Sequence, residues 1–490
     1  MLFESLFANA QRDPNRIAVI DDRGQYTTQQ VARMAAGIGL MLSQATQAPR
    51  VGLFLPTGVG FAASFYGTLL AGKTVVPINF LLGEKEIAHI IRDSGIDTIL
   101  TAPPLAERIK ALPVKVIDLT QLPAEAPAGV AMPPLPNPKA DDIAVLMYTS
   151  GTSAMPKGVL LSYGNLSDDV VAAIEHAQLK GEHRFLGILP LFHSTGLLAT
   201  LIAPTHLGAL VVYQARFSPV GVMKAIREHQ LSILIAVPSM YGALLRLKDA
   251  GPADLAQVYA AISGGEPLPS NIREGFQAKF GKPIYEGYGL TETIGPIAFN
   301  EPRQSRPGSV GRLIPGATAK ITDDDGNAVP QGQQGEVWLK GPMIMKGYHN
   351  LPDATRDALT PDGFFKSGDL GHLDPDGYLY ITGRKKDLII VAGEKAVPRE
   401  IEEVLLTNPA VAQAAVLGKK DPSRGEVVVA FVVAKEGQTA TAEALREHCR
   451  AAGLMQWKIP REVFVVTELP TSPTGKVLKR VLAERLAAEA

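Results

Sequence analysis

Short apolar runs alternate with amphipathic segments over the first third of the chain. Val51-Gly52-Leu53-Phe54-Leu55 reads as a buried strand and Phe61–Ala71 as a helix. Glu84–Asp93 carries Ile87, Ile90 and Ile91 at helical spacing, and Thr98-Ile99-Leu100 resumes a strand. Strands alternating with helices predict an α/β fold, with mostly parallel sheet covered by helices. The Pro- and Ala-rich segment Pro123–Pro138 predicts an extended connection over the surface. Beyond it, Ile143–Met147 is a buried strand and Ser162–Gln178 a helix with Ser162 or Asn165 near its start. Ile233–Pro238 is a further strand, leading to a helix near Tyr241–Lys248.

Two changes of pattern follow. Phe185–Gln214 contains no Asp, Glu, Lys or Arg and is long enough to span a bilayer. Pro190, His193, Gly196, Pro204, His206 and Gly208 interrupt it, so it is expected as the buried centre of a large domain beside an apolar ligand, with no membrane span. From about Gly308, short strand-like runs such as Glu336–Lys340 alternate with Asp/Gly turns, which predicts a small antiparallel sheet or barrel. At Gly383-Arg384-Lys385-Lys386-Asp387 the apolar content breaks. The remainder is expected as a small α+β domain with helices at Pro398–Thr407 and Ala440–Ala451. Its strands are expected near Val411–Leu417, Glu426–Ala434 and Glu462–Val466. The division is therefore 1–385, a large multi-part α/β domain with a small barrel-like part, and 386–490.

Composition narrows the function classes. A chain of 490 residues is too long for one ordinary domain, and 46% hydrophobic with 20% charged residues is a globular composition. The net charge of -1 gives no reason to expect nucleic acid as partner. The single cysteine, Cys449, excludes an internal disulfide and suits a reducing cytosol; within a helix it reads as packing. The N-terminus shows no signal peptide, so a cytoplasmic location is expected.

The chemistry concentrates in a few loops. Tyr148-Thr149-Ser150-Gly151-Thr152-Ser153-Ala154-Met155-Pro156-Lys157-Gly158 follows a buried strand with four aliphatic hydroxyls, glycines and a lysine. Backbone N–H groups, hydroxyls and a point charge suit a polyphosphate; a polar surface turn is the plain alternative. A Walker A loop needs Gly before the Lys and Ser or Thr after it, and Pro156 and Gly158 stand there instead. Phe192-His193-Ser194 places a histidine in the charge-free stretch, either lining a pocket or as a satisfied core residue. Ser263-Gly264-Gly265-Glu266-Pro267 allows a planar ligand to lie on the backbone, or is only a turn. Tyr288-Gly289-Leu290-Thr291-Glu292-Thr293 offers an aromatic face, hydroxyls and a carboxylate for a base, a phosphate and a hard cation. Ser367-Gly368-Asp369 could accept from ribose hydroxyls, and Lys476, in Pro473-Thr474-Gly475-Lys476, is either a reaching lysine or a solvated one.

Taken in order, these segments resemble the adenylate-forming superfamily of acyl-CoA synthetases, nonribosomal-peptide adenylation domains and beetle luciferases. The resemblance covers nearly the whole chain, with one departure: Ala154 stands where the family usually has glycine. It implies a two-step acid–thiol ligase. A carboxylate attacks the α-phosphate of ATP, giving acyl-AMP and pyrophosphate, and a thiol then displaces AMP. Carried over residue by residue, Thr149, Ser150, Gly151, Thr152, Ser153 and Lys157 would hold the β- and γ-phosphates, and Thr149 and Glu292 would organise Mg²⁺. Thr291 would contact the α-phosphate. Gly265, Glu266, Pro267, Glu286, Gly287, Tyr288 and Gly289 would enclose adenine, while Asp369 and Arg384 would hold ribose. His193, Ser263, Gly264 and Gly289 would border the acyl group, Lys476 would bridge the reacting groups, and Lys476, Thr291, Glu292 and His193 would form the catalytic set. Lys386 would be the hinge of a mobile C-terminal domain whose Gly393 loop meets CoA.

No acid lies near His193-Ser194 to pair with a substrate ammonium, and no cation in Phe185–Gln214 awaits a second carboxylate. With Leu186, Ile188, Leu197, Leu198 and Ile262 around them, the expected substrate is a hydrophobic acid, fatty or aromatic. CoA is the expected acceptor; the alternatives are a separate carrier protein, or a luciferase-like or non-catalytic nucleotide-binding member of the same fold. Lys419, Lys420 and Arg424 are candidates for the CoA phosphates, or a solvated basic turn. A monomer or homodimer is expected.

Overall fold

A computed structural model of the chain describes residues 2–103, 105–121, 135–149, 155–471 and 477–488. Ser150, Gly151, Thr152, Ser153, Ala154, Lys476 and most of the Pro123–Pro138 connection lie outside these residues.

Two large sheets organise the region before Arg384. The seven-stranded sheet runs Gly347–Tyr348, Lys157–Ser162, Ile143–Thr149, Thr74–Pro77, Arg50–Phe54, Thr98–Thr101 and Lys115–Asp118. Its centre is parallel, whereas Lys157–Ser162 returns antiparallel to Ile143–Thr149 and pairs in turn with Gly347–Tyr348. The nine-stranded sheet runs Arg312–Leu313, Ala298–Phe299, Ile284–Tyr288, Ala260–Ser263, Ile233–Ala236, Arg184–Gly187, Leu210–Tyr213, Ile17–Asp21 and Gly24–Thr27. It too is parallel at its centre and antiparallel at both edges. The parallel strands are near-continuous aliphatic runs because both of their faces are covered.

The helix Val59–Leu70 is buried all round except at Gly60, and it packs on Thr28–Ala45 inside the large core that spans both sheets. A helix without a polar face can only be an interior one. The outer face of the nine-stranded sheet carries a second core, built with the helices Pro219–His229, Pro238–Leu245 and Ser270–Phe280. The helix expected near Tyr241–Lys248 begins three residues earlier because Pro238 takes its first position, where a missing N–H costs nothing.

The charge-free stretch is not one helix. Strands Arg184–Gly187 and Leu210–Tyr213 bracket a short helix Ser194–Leu197, a π-helical turn Leu198–Ile202 and a helix Ala203–Leu207. Pro204 cannot donate to the carbonyl four residues back, and the Tyr213 hydroxyl donates to that Thr200 carbonyl instead, at 2.7 Å. Among the described residues, no helix is long and apolar enough to cross a membrane.

The small antiparallel part is a four-stranded sheet of Thr318–Thr322, Gly335–Lys340, Phe365–Leu373 and Leu379–Arg384. After it comes a five-stranded sheet with a core of its own, built on Val411–Asp421 and Gly425–Ala434 with Glu462–Val466 added in parallel. Two of its elements carry no expectation from the sequence. Val391-Ala392-Gly393, read as a loop, is the turn of a hairpin Ile389–Val391/Glu394–Ala396, with Ala392 and Gly393 at φ 51° and 90°. The Ala-rich end forms the helix Lys479–Ala488, which buries Leu482 and Leu486. Cys449 is buried in Ala442–Ala451, and burial pushes its thiol up to about 11, as a packing residue requires.

Candidate active site

Three strand ends and two loops meet between the large sheets and the antiparallel sheet. Thr149 ends its strand opposite Lys157, its register partner. The Lys157 ammonium lies 5.4 Å from the centre of the Tyr348 ring, and the Tyr348 hydroxyl donates to Glu292 Oε1 at 2.8 Å. Met345 N–H donates to the Glu292 carbonyl at 2.8 Å, so both ends of Glu292 are fixed. Burial, and then the Glu292 carboxylate, raise the Tyr348 phenol above its ordinary range, so it stays a neutral donor. Gly158 permits this corner: a Cβ there would stand 2.8 Å from Leu146 and 3.2 Å from both His349 and Tyr148.

Thr291-Glu292-Thr293 is a single 3₁₀ turn, closed by Leu290 N–H donating to Thr293 Oγ1 at 2.9 Å. The next residue, Ile294, has φ 57°. That left-handed conformation is costly for a β-branched residue, and its position directly after the turn marks stored strain beside the candidate site.

The second corner is built around Asp369. Its side chain is 3% exposed. It accepts from the Tyr288 hydroxyl at 2.7 Å and pairs with Arg384 Nε at 2.9 Å. Asp369 and Arg384 are register partners across two adjacent strands, so the pairing follows from the sheet itself. Asp369 N–H donates to Ser367 Oγ, which donates to the Val337 carbonyl at 2.6 Å. Burial and the Asp369 carboxylate together raise the Tyr288 phenol. Gly265, at φ 82°, turns the chain after Ala260–Ser263, and Gly264 lies against the Gly287 carbonyl. Ser263 Oγ is buried with no hydrogen-bond partner among the described residues.

The expected residues divide. Thr149, Lys157, Thr291 and Glu292 gather at one corner; Tyr288, Asp369 and Arg384 gather at the other, with Gly287 and Gly289 on the backbone between. Gly265, Glu266 and Pro267 form the adjoining turn. Glu286 behaves differently. It is 5% exposed and its carboxylate faces Arg273 on Ser270–Phe280 at 3.4 Å. Desolvation raises its pKa, while Arg399 of the C-terminal part and Arg273 hold the rise back. His193 caps the helix Ser194–Leu197 and is exposed, so the core-residue alternative falls away, while Phe192 is buried against Phe80 at 5.1 Å between ring centres.

The apolar surroundings also divide. Leu197, Leu198 and Ile262 join the large core with Tyr288, but Leu186 and Ile188 belong to the core on the other face of the nine-stranded sheet. They therefore cannot line one pocket with Leu197, because successive strand residues point to opposite faces.

Gly393, Lys420 and Arg424 share a surface cavity of about 690 Å³ in the C-terminal part. Lys419 is not among its lining residues; it is paired with Glu462 at 2.9 Å. At the junction of the two parts, Asp324 pairs with Lys385 at 3.1 Å and Lys395 at 2.9 Å, and burial lowers the Lys386 ammonium.

Tyr348 and Asp169 are two site-proximal residues without a sequence expectation. For Tyr348 the sequence offers no signal, since Gly347-Tyr348 is a two-residue strand. For Asp169 the stripe Asn165, Leu166, Asp169, Val170 at helical spacing was a usable one.

Mg²⁺ suits one or two protein oxygens with phosphate and water completing its octahedron. The fixed Glu292 carboxylate and the Thr149 hydroxyl at the loop mouth fit that donor set.

Residues 6–349 match the family model described as AMP-binding enzyme, and residues 400–476 match the AMP-binding enzyme C-terminal domain. A sulfoacetate–CoA ligase of Cupriavidus necator is 39% identical over 90% of this chain and 87% of its own length. A feruloyl-CoA synthase of an Amycolatopsis species is 33% identical over 97% of both chains. The solved o-succinylbenzoate CoA synthetase of Bacillus subtilis with ATP and a magnesium ion superposes with a TM-score of 0.88, at 31% identity over 99% of both chains. The fold as a whole thus has its counterpart in known ligases: the chain belongs to the AMP-binding enzyme family and is an acid–thiol ligase.

Proposed function

We propose that the enzyme activates a hydrophobic carboxylic acid, fatty or aromatic, as acyl-AMP and transfers it to CoA. The observation that carries this reading is that Leu197 and Leu198, from the stretch Phe185–Gln214 without a single charged side chain, share one apolar core with Ile262 and Tyr288. In this reading Lys157 and the Tyr148–Gly158 loop draw the β- and γ-phosphates, and Thr291 takes an α-phosphate oxygen. Glu292 and Thr149 hold Mg²⁺, which neutralises phosphate charge when bound. Asp369, held by Tyr288 and Arg384, accepts from the ribose hydroxyls, and the Gly264–Pro267 turn covers adenine. A carboxylate oxygen bonds to the α-phosphorus and pyrophosphate leaves, with Lys476 stabilising the charge that develops between them. The thiol then bonds to the acyl carbon and AMP leaves. The part from Lys386 onward rotates between the two steps, which brings Gly393, with Lys420 and Arg424 beside it, to the CoA arm.

A second reading has its own support. The 39% identity to a sulfoacetate–CoA ligase favours a small acid with a second anionic group. Against it stands the absence of Lys and Arg from Phe185–Gln214. The acceptor is free CoA in this account rather than a separate carrier protein. The single, buried Cys449 suits a cytoplasmic location, and the enzyme is proposed there as a monomer or homodimer.

Pyrophosphate release, measured over a panel of fatty, aromatic and dianionic acids with and without CoA, separates the readings. Turnover with fatty or aromatic acids and not with sulfoacetate or dicarboxylates is expected. The reverse preference would overturn the hydrophobic reading, and turnover that depends on an added carrier protein would overturn the acceptor.

A further inference from the structure

Asp169 stands on the buried face of the helix Tyr163–Ala177, beside Leu166 and Val170. It is fully buried, at 0% exposure, and neither carboxyl oxygen has a hydrogen-bond partner among the described residues. Burial alone pushes its pKa well above the ordinary range. A bare buried carboxyl is destabilising, a cost that alanine at this position would avoid.

Its neighbours locate it. A methyl group built on Gly295 would lie 2.5 Å from Asp169 Oδ2 and 2.3 Å from Leu198 Cδ2. Gly295 in turn supports Gly289, where an added Cβ would meet the Gly295 carbonyl at 2.0 Å. Asp169 is therefore one backbone thickness behind Gly289, next to the first residue of the π-helical turn Leu198–Ile202. Sequence spacing shows no acid near the charge-free stretch, yet the fold brings one to it from another helix. Between the carboxyl and the apolar wall stand Gly295, a residue with no side chain, and the Cδ2 end of Leu198.

We propose that Asp169 is a specificity-determining residue at the closed end of the acyl pocket, where it accepts a hydrogen bond from a hydroxyl or amino group at the distal end of the acid. This rests on the reading of Gly289 and Leu198 as the acyl wall. A donor on the substrate satisfies oxygens that have no hydrogen-bond partner among the described residues.

The test uses matched acids: benzoates with and without a para hydroxyl or amino group, and alkanoates with and without a terminal hydroxyl. The readout is kcat/KM for pyrophosphate release by wild type, Asp169→Ala and Asp169→Asn. Wild type is expected to favour the donor-bearing member of a pair by about tenfold or more. Asp169→Ala should lose that preference through KM of the donor-bearing acids, with turnover of the plain acids retained. Asp169→Asn, which keeps an acceptor oxygen, should restore most of it. Both variants delete a bare buried acid and should melt at or above the wild-type temperature, so loss of preference cannot come from loss of fold. An unchanged ratio across all three proteins, or a wild-type preference for the plain acids, overturns the inference while leaving the hydrophobic-acid reading intact. No turnover of any of these acids overturns both.

Discussion

The Tyr288 hydroxyl donates to Asp369 Oδ2 over 2.7 Å, tying the end of the strand Ile284–Tyr288 to the middle of Phe365–Leu373. This bond joins the nine-stranded sheet to the antiparallel sheet at the point proposed to hold the nucleoside. Tyr288→Phe leaves Asp369 with Arg384 but removes one donor from a buried carboxylate. The expected cost is about 1 kcal/mol, read as a roughly fivefold fall in kcat/KM for ATP. The KM for the acid should stay where it is. Unchanged ATP kinetics with an altered acid KM would contradict the placement of Asp369 at the nucleoside.

Tyr348 joins Lys157 and Glu292 through its ring and its hydroxyl, at 5.4 Å and 2.8 Å. Removing the hydroxyl in Tyr348→Phe frees the carboxylate to wander. The concentration of Mg²⁺ needed for half-maximal rate should rise about threefold to tenfold, in line with the loss of one hydrogen bond to a charged group. Titration of activity against Mg²⁺ at saturating acid checks this. An unaltered Mg²⁺ requirement would remove Tyr348 from the metal corner.

Asp169 also has a signature in stability. Its folded pKa is raised by burial, above the unfolded value of about 3.9. Above that pH the unfolded chain releases a proton that the native chain keeps, so this group lowers stability progressively as pH rises from about 4. Asp169→Asn removes that slope. Melting curves should show the variant gaining on wild type from about pH 4 toward neutrality. A constant difference over that range would mean that Asp169 is ionised and paired in the native state.

Much of the fold was legible because its strands are aliphatic runs and its helices amphipathic, as in Ile143–Thr149 and Glu84–Ser94. The glycine-rich loops were legible too, because Gly265 and Gly158 answer backbone demands that other residues meet badly. Face assignment was not. Leu186 and Leu197 look alike in one charge-free stretch, and only the sheet separates them into two cores. Glu286 reads as part of a nucleotide motif, but strand alternation turns its carboxylate to Arg273. Tyr348 acts across a distance in sequence that local pattern does not encode, and Asp169, legible as a buried helical position, meets Gly295 only through the fold. The hairpin Ile389–Ala396 escaped because three-residue strands carry no periodicity.

The central claim is that two half-reactions use one site in two arrangements of the part that begins near Lys386. Lys476→Ala tests it most directly, by comparing pyrophosphate release from ATP and acid with thioester formation from a supplied acyl-adenylate and CoA. Adenylate formation should fall by orders of magnitude, while thioester formation stays within a few fold of wild type, because Lys476 stabilises charge only in the first step. An equal loss in both half-reactions would contradict the account.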